Sequence, residues 1–203
     1  MKKIILGLVA AFLLPQAALA GDNNFKAGDI LVRARAVDVI SQESSSVSIG
    51  GTVNIDDSVV PELDFSYFVT PNVALELIAG ITPHHVKTNS GINVGKAWLL
   101  PPTLTAQYHF SDFEAVKPYI GAGVNYTHFF NADGGALNAV NYDDSFGLAL
   151  QAGVDVPIKD NWYFNLDVKK IFISTKVKFS PSGVSAKVDI DPLLVGVGVG
   201  YRF

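Results

Sequence analysis

The chain contains no cysteine, so neither a disulfide framework nor thiol chemistry is available to it. Past Leu14 it has no apolar run approaching the ~20 residues that a membrane-spanning helix needs. Charge is sparse as well. Asp, Glu, Lys and Arg make up 17% of 203 residues and the net charge is −4, which argues against nucleic acid as a partner. No HExxH or similar metal spacing occurs. His84 and His85 are adjacent and would face opposite ways on a strand, while His109 and His128 fall near opposite ends of neighbouring strands. Serines cluster at Ser41 and Ser44 to Ser46, and Asp143-Asp144 lies elsewhere, with no spacing that forces a nucleophile against a base. No metal, no cofactor and no enzymatic activity are expected.

What the chain does have is an N-terminal leader. Met1-Lys2-Lys3 is basic, Ile4 to Leu14 is apolar, and Ala18-Leu19-Ala20 is a small-residue cleavage pattern. This is the layout of a secretory signal peptide. Residues 1–20 are therefore expected to be removed, leaving a barrel domain over 21–203 and, with Lys2 and Lys3 gone, a net charge of −6.

Hydrophobic residues still reach 49%, and after Gly21 they recur with period two. Leu193, Val195, Val197, Val199, Tyr201 and Phe203 share one face, and Leu194, Gly196, Gly198, Gly200 and Arg202 share the other. Trp162 to Lys169 and Phe146 to Val156 repeat the pattern. Read throughout, it predicts eight strands, at 28–40, 59–69, 72–82, 97–110, 117–129, 144–157, 161–174 and 190–203. Each suits a tilted membrane strand of ~9–11 residues or slightly more. Three connections are short (Thr70-Pro71, Ser111 to Val116, Ile158 to Asp160) and four are long (41–58, 83–96, 130–143, 175–189). That alternation predicts an all-β, eight-stranded, antiparallel, up-and-down transmembrane barrel of a Gram-negative outer membrane, with both mature termini periplasmic.

Alternation alone does not say which face is outside. The polar face carries Arg33, Arg35, Glu62, Asp64, Glu76, His109, Asp155, Asp167, Lys169 and Arg202. These suit a lumen, where the charges other than His109 would form a salt-bridge network. Aromatics gather toward the short turns: Tyr67, Phe68, Tyr108, Phe110, Trp162, Phe164, Tyr201 and Phe203. They resemble an interfacial girdle facing outer-membrane lipid. Tyr201 and Phe203 also resemble the C-terminal signal read by the barrel-assembly machinery. A closed wall leaves no free edge, so a monomer is expected. Eight strands enclose a space that side chains about fill, so a wide porin channel is not expected.

Pro101-Pro102 is the most informative local feature. Proline has no N–H for a ladder and is avoided inside sheets. Two in a row on a strand reaching Phe110 predict either a lateral opening in the wall or a simple bend where the strand meets its loop.

Leu100-Pro101-Pro102-Thr103-Leu104, then Ala106 to Phe110, then Lys117-Pro118-Tyr119-Ile120-Gly121-Ala122-Gly123-Val124-Asn125-Tyr126-Thr127, and finally Gly200-Tyr201-Arg202-Phe203 together resemble the outer-membrane protein W (OmpW) family. The resemblance covers the whole expected mature chain. It implies an eight-stranded barrel that passes small hydrophobic molecules across the outer membrane. On that reading Ile78, Trp98, Phe129, Phe130 and Leu137, with Ile92, Val94 and Val140, are candidates for an apolar solute path leaving at Pro101 and Pro102. Two alternatives are an interaction barrel whose loops bind phage, host or other ligands, and a narrow ion-conducting pore.

Overall fold

The computed structural model describes residues 24–40, 43–45, 53–55, 58–80, 82–88, 93–100, 102–133, 140–142, 144–179 and 185–203. The described parts of 43–58, 80–100, 128–142 and 175–190 are backbone alone. The expected leader, 1–20, lies outside the described residues. All regular structure among the described residues is strand: β1 (Ile30–Ile40), β2 (Glu43–Ser45), β3 (Val53–Ile55), β4 (Ser58–Phe68), β5 (Val73–Gly80), β6 (Thr82–Thr88), β7 (Asn93–Leu100), β8 (Thr103–His109), β9 (Lys117–Asp133), β10 (Val140–Tyr142), β11 (Ser145–Lys159), β12 (Trp162–Ile171), β13 (Ile173–Phe179), β14 (Ser185–Ile190) and β15 (Leu193–Arg202).

Eight of these close a barrel. Each neighbour pairs antiparallel in the order β1, β4, β5, β8, β9, β11, β12, β15, and β15 returns to β1 from Leu31↔Arg202 to Ile40↔Leu193. Closure matters because backbone groups facing hydrocarbon find no water and must pair within the protein. Both ends of the described chain lie at one rim, the turn end. There Thr70 Oγ1 accepts from the backbone N–H of Asn72 and Val73. Asp160 takes φ 52°, a left-handed value that Asp tolerates, and so β11 reverses directly into β12.

The opposite rim, the loop end, differs from expectation. The segments read as long loops hold further strands. β6 pairs with β7 from Thr82↔Leu99 to Lys87↔Asn93, β13 pairs with β14 from Ile173↔Ile190 to Lys178↔Ser185, and β9 runs on to Asp133. The wall therefore continues past the apolar band.

Along the barrel strands, exposure alternates residue by residue. The outward face is apolar: Leu63, Phe65 and Tyr67 on β4, Leu75 and Leu77 on β5, Leu104 and Tyr108 on β8, Leu148 and Leu150 on β11. The buried, inward face is polar, with Arg33 and Glu76 both at 0% exposure. This inverts a water-soluble protein and is the arrangement of a membrane barrel. Tyr67, Tyr108, Trp162, Phe164 and Phe203 face outward toward the turn end. Phe68 does not; it is fully buried inside, one residue out of phase with Tyr67.

Candidate functional site

The lumen is built in three layers. At the turn end, the N-terminal arm folds into the barrel mouth. Lys26 N–H donates to Asp29 Oδ2 and Gly28 N–H to Phe68 O, with Gly28 at φ 95° making the turn. The reversal carries Phe25 inside, stacked on Phe68 at 4.1 Å and near Tyr163 and His109. With Leu31 and Ala74 these rings form one buried cluster. Lys117 and Arg202 hold the arm by donating to the side chain and backbone of Asn24. Arg202 thus sits at the turn-end rim, 3.9 Å from Asp29, and not in the central ion network to which sequence reading assigned it.

Above the plug lies the charge layer. Arg33 grips both oxygens of Asp155 (3.0 and 2.7 Å) and also donates to Asp64 and Ser66. Arg35 donates to Glu62 and Asn165 and lies 2.7 Å from Asp64. Lys169 pairs with Glu62 and lies 3.3 Å from Asp167. Glu76 accepts from Thr105 and stands 3.5 Å from both arginines. Tyr119 O–H donates to Asp167. Strands on every side of the barrel contribute, so the network crosses the lumen and fills it. Buried charges are tolerable only when paired and hydrogen-bonded in this way. Glycines on the wall let neighbouring strand backbones approach closely. A Cβ on Gly198 would stand 2.1 Å from Ala34 O, and one on Gly123 2.0 Å from Leu104 O.

The third layer, toward the loop end, is split by chemistry. Val37, Val39 and Val60 form a buried apolar cluster, and Ala149, Ile171 and Ile173 another, with Leu194 packed against both. Ile78 is also inward and buried. Across the barrel stand Thr103, Asn125 and Thr127, uncharged and buried.

Near Pro102 the wall passes through positions 81 and 101, which lie outside the described residues. The β5–β8 ladder ends at Ile78↔Thr103, and the β6–β7 ladder starts at Thr82↔Leu99. Pro102 falls between them, and its carbonyl accepts from Tyr126 N–H on β9 at 3.1 Å. Pro101 lies outside the described residues. Sequence reading passed over two further prolines. Pro61 sits on β4 one residue beyond the last β4–β5 pair, Glu62↔Gly80. Pro192 separates β14 from β15, where Ile171 N–H donates to Pro192 O and Ile173 N–H to Asp191 Oδ1. Sequence reading also missed Phe25, a lone aromatic in an unpatterned arm.

Of the apolar path candidates, Trp98, Phe129, Phe130, Val94 and Val140 belong to strands described by backbone only. Trp98 and Phe130 are register partners, as are Leu99 and Phe129. Ile92 and Leu137 lie outside the described residues. Among the described residues no cluster of His, Asp and Glu has metal-ligand geometry.

The model of the OmpW family matches residues 26–203. The chain belongs to the OmpW family. Similar curated relatives include an outer-membrane protein of Sinorhizobium fredii that is named uncharacterized, 46% identical over 85% of this chain and 79% of that protein. Outer membrane protein W of Salmonella typhimurium is 35% identical over the full length of both chains. A dibenzothiophene metabolism operon protein of Pseudomonas aeruginosa is 31% identical over 76% of each chain. Among solved structures, the outer membrane protein OprG of Pseudomonas aeruginosa superposes with a TM-score of 0.77 at 30% identity, covering 89% of this chain and 98% of that one. This OmpW-family chain is thus an outer-membrane barrel.

Proposed function

We propose that this barrel takes up small hydrophobic molecules passively, releasing them sideways into the bilayer and not through to the periplasm. The observation that carries this reading is the layering of the lumen. The turn end holds the Phe25 plug, with the ion network above it, while the layer toward the loop end contains buried clusters of Val, Ile and Ala side chains with Leu194 packed against them. An apolar solute in that layer meets charged groups on the axis and hydrocarbon beyond the wall near Pro102. Crossing the charge layer would strip ion pairs of their partners. Leaving sideways removes apolar surface from water at ~25 cal/mol per Å². Weak, reversible capture by the loop-end segments and net flow into lipid follow. The relative named for a dibenzothiophene operon supports an apolar solute class. In this reading the turn end and both mature termini face the periplasm, the barrel works as a monomer, and Tyr201 and Phe203 are its contacts with the assembly machinery. Residues 1–20 are removed on export, and no catalytic step is involved.

The test is uptake of a labelled alkane-like compound by deletion cells carrying native protein or a Pro101→Ala/Pro102→Ala double variant at matched outer-membrane levels, with a small polar sugar as control. Native protein is expected to speed the apolar compound alone, and the variant to lose most of that gain. Equal gains would remove the proline opening. No gain from either would remove hydrophobic uptake.

A further inference from the structure

We infer that the β13–β14 hairpin binds the phosphate groups of the glycolipid of the outer leaflet, through Lys176, Lys178 and Lys187. This rests on the orientation given above, with the loop end at the cell surface. Lys176 and Lys187 are register partners in the β13–β14 ladder, and Lys178 lies two positions further along β13. Residues directly opposite share a face, as do residues two apart on one strand, so the three lysines lie on one face of the hairpin. Exposure alternates along the chain leading into it: Val168, Phe172 and Ser174 are exposed, and Lys169, Ile171 and Ile173 are buried. Parity places Lys176 and Lys178 on the face of Phe172 and Ser174.

The wall below this hairpin suits acyl chains. Leu148 and Leu150 on β11 and Leu166 and Val168 on β12 are exposed. Toward the loop end come outward aromatics on neighbouring strands. Tyr126 and Phe146 lie 4.8 Å apart, and Lys170 holds its ammonium 5.9 Å from the Phe172 ring. Aromatic rings with a lysine among them mark the level where hydrocarbon gives way to headgroups. The hairpin begins at that level, at Ile173, so a lipid lying on the β11–β12 wall has its phosphates beside the lysine face. Like charges directly opposite in a ladder destabilise it, as at Lys176 and Lys187. Asp189, opposite Ser174, is the single carboxylate on β13 and β14 and does not balance three lysines. An anion on this face relieves the repulsion. Each lysine beside an anionic leaflet raises affinity about fivefold.

The experiment titrates the purified barrel with bisphosphorylated lipid A, with the same lipid stripped of phosphate, and with inorganic phosphate as a competitor. The native protein is expected to bind the bisphosphorylated lipid at least about tenfold more tightly than the stripped one. The triple variant Lys176→Gln/Lys178→Gln/Lys187→Gln should lose that preference, and heat-modifiable gel mobility shows that it is a closed barrel. Equal native affinity for the two lipids, or full preference in the folded variant, overturns the inference. Displacement by inorganic phosphate at the lipid's own concentration overturns the lipid as the ligand. Orientation is read separately. The chain has no cysteine, so Ser182→Cys, between β13 and β14, gives a single thiol for a membrane-impermeant maleimide. Labelling in intact cells supports the loop end at the surface. Labelling only after lysis overturns that orientation, and the outer-leaflet partner with it.

Discussion

Replacing Arg33 by methionine tests whether the lumen is held by a connected ion network or only by side-chain bulk. Arg33 is fully buried, and its guanidinium contacts Asp155 through two hydrogen bonds, Asp64 through a third and Ser66 through a fourth. Its loss leaves Asp155 short of its cation in a dry interior. Among the described residues this layer holds Arg33, Arg35 and Lys169 against Glu62, Asp64, Glu76, Asp155 and Asp167, so the remaining cations are already shared. Breaking one buried pair by removing a partner costs about 3–5 kcal/mol. Arg33→Met should fall within that range, because Asp155 loses its cation while Asp64 keeps Arg35. Asp155→Asn removes that orphaned charge, so the double variant Arg33→Met/Asp155→Asn should be more stable than the two single losses summed, by ~1–3 kcal/mol. The assay is urea unfolding of the barrel refolded into lipid vesicles, followed by Trp162 fluorescence, with heat-modifiable mobility as a second readout. A loss under about 1 kcal/mol for Arg33→Met, or strict additivity in the cycle, would refute the network account.

Two further perturbations probe other levels of the structure. Gly198→Ala would place a Cβ 2.1 Å from Ala34 O, whereas at Gly196 the nearest contact is a flexible Arg35 side-chain carbon at 3.3 Å. The first should cost ~1–3 kcal/mol and the second well under that by urea midpoint; equal effects would remove the close-approach argument. Leu77→Arg puts a charge on the outward face of β5, where Leu77 is 49% exposed. It should cost ~2–4 kcal/mol in vesicles if that face meets lipid, and an unchanged midpoint would contradict the membrane assignment of this wall.

Period-two alternation is local, and it alone carried much of the architecture. Because successive side chains leave a strand on opposite faces, residue parity placed Arg33, Glu62, Asp64, Glu76 and Lys169 inside before any partner was known. Seven of the eight barrel strands fall within four residues of where the alternation put them, while the strand read over 97–110 begins at Thr103, with β7 ending before it at Leu100. The same logic failed for Phe68, grouped with its neighbour Tyr67 by composition although parity separates the two. It also stopped short at the loop end, where β6, β7, β13 and β14 occupy stretches largely read as loops.

The order of residues along the chain determined an apolar wall face, a polar inner face and the turns between strands, because these are local to one strand. The tertiary structure decided everything that depends on register and closure. Arg33 and Asp155 are 122 positions apart, and only the barrel circuit brings them within 2.7 Å. Closure likewise separates two prolines that look alike in sequence. Both carbonyls accept from a neighbouring strand, Pro192 O from Ile171 N–H and Pro102 O from Tyr126 N–H, but Pro102 lies just past Ile78↔Thr103, the last described β5–β8 pair. Phe25 becomes a plug only because a closed rim gives it rings to stack on, Phe68 from β4 and Tyr163 from β12. Hydrogen-bond partners and packing contacts of this kind are properties of the closed circuit, and no single strand contains them.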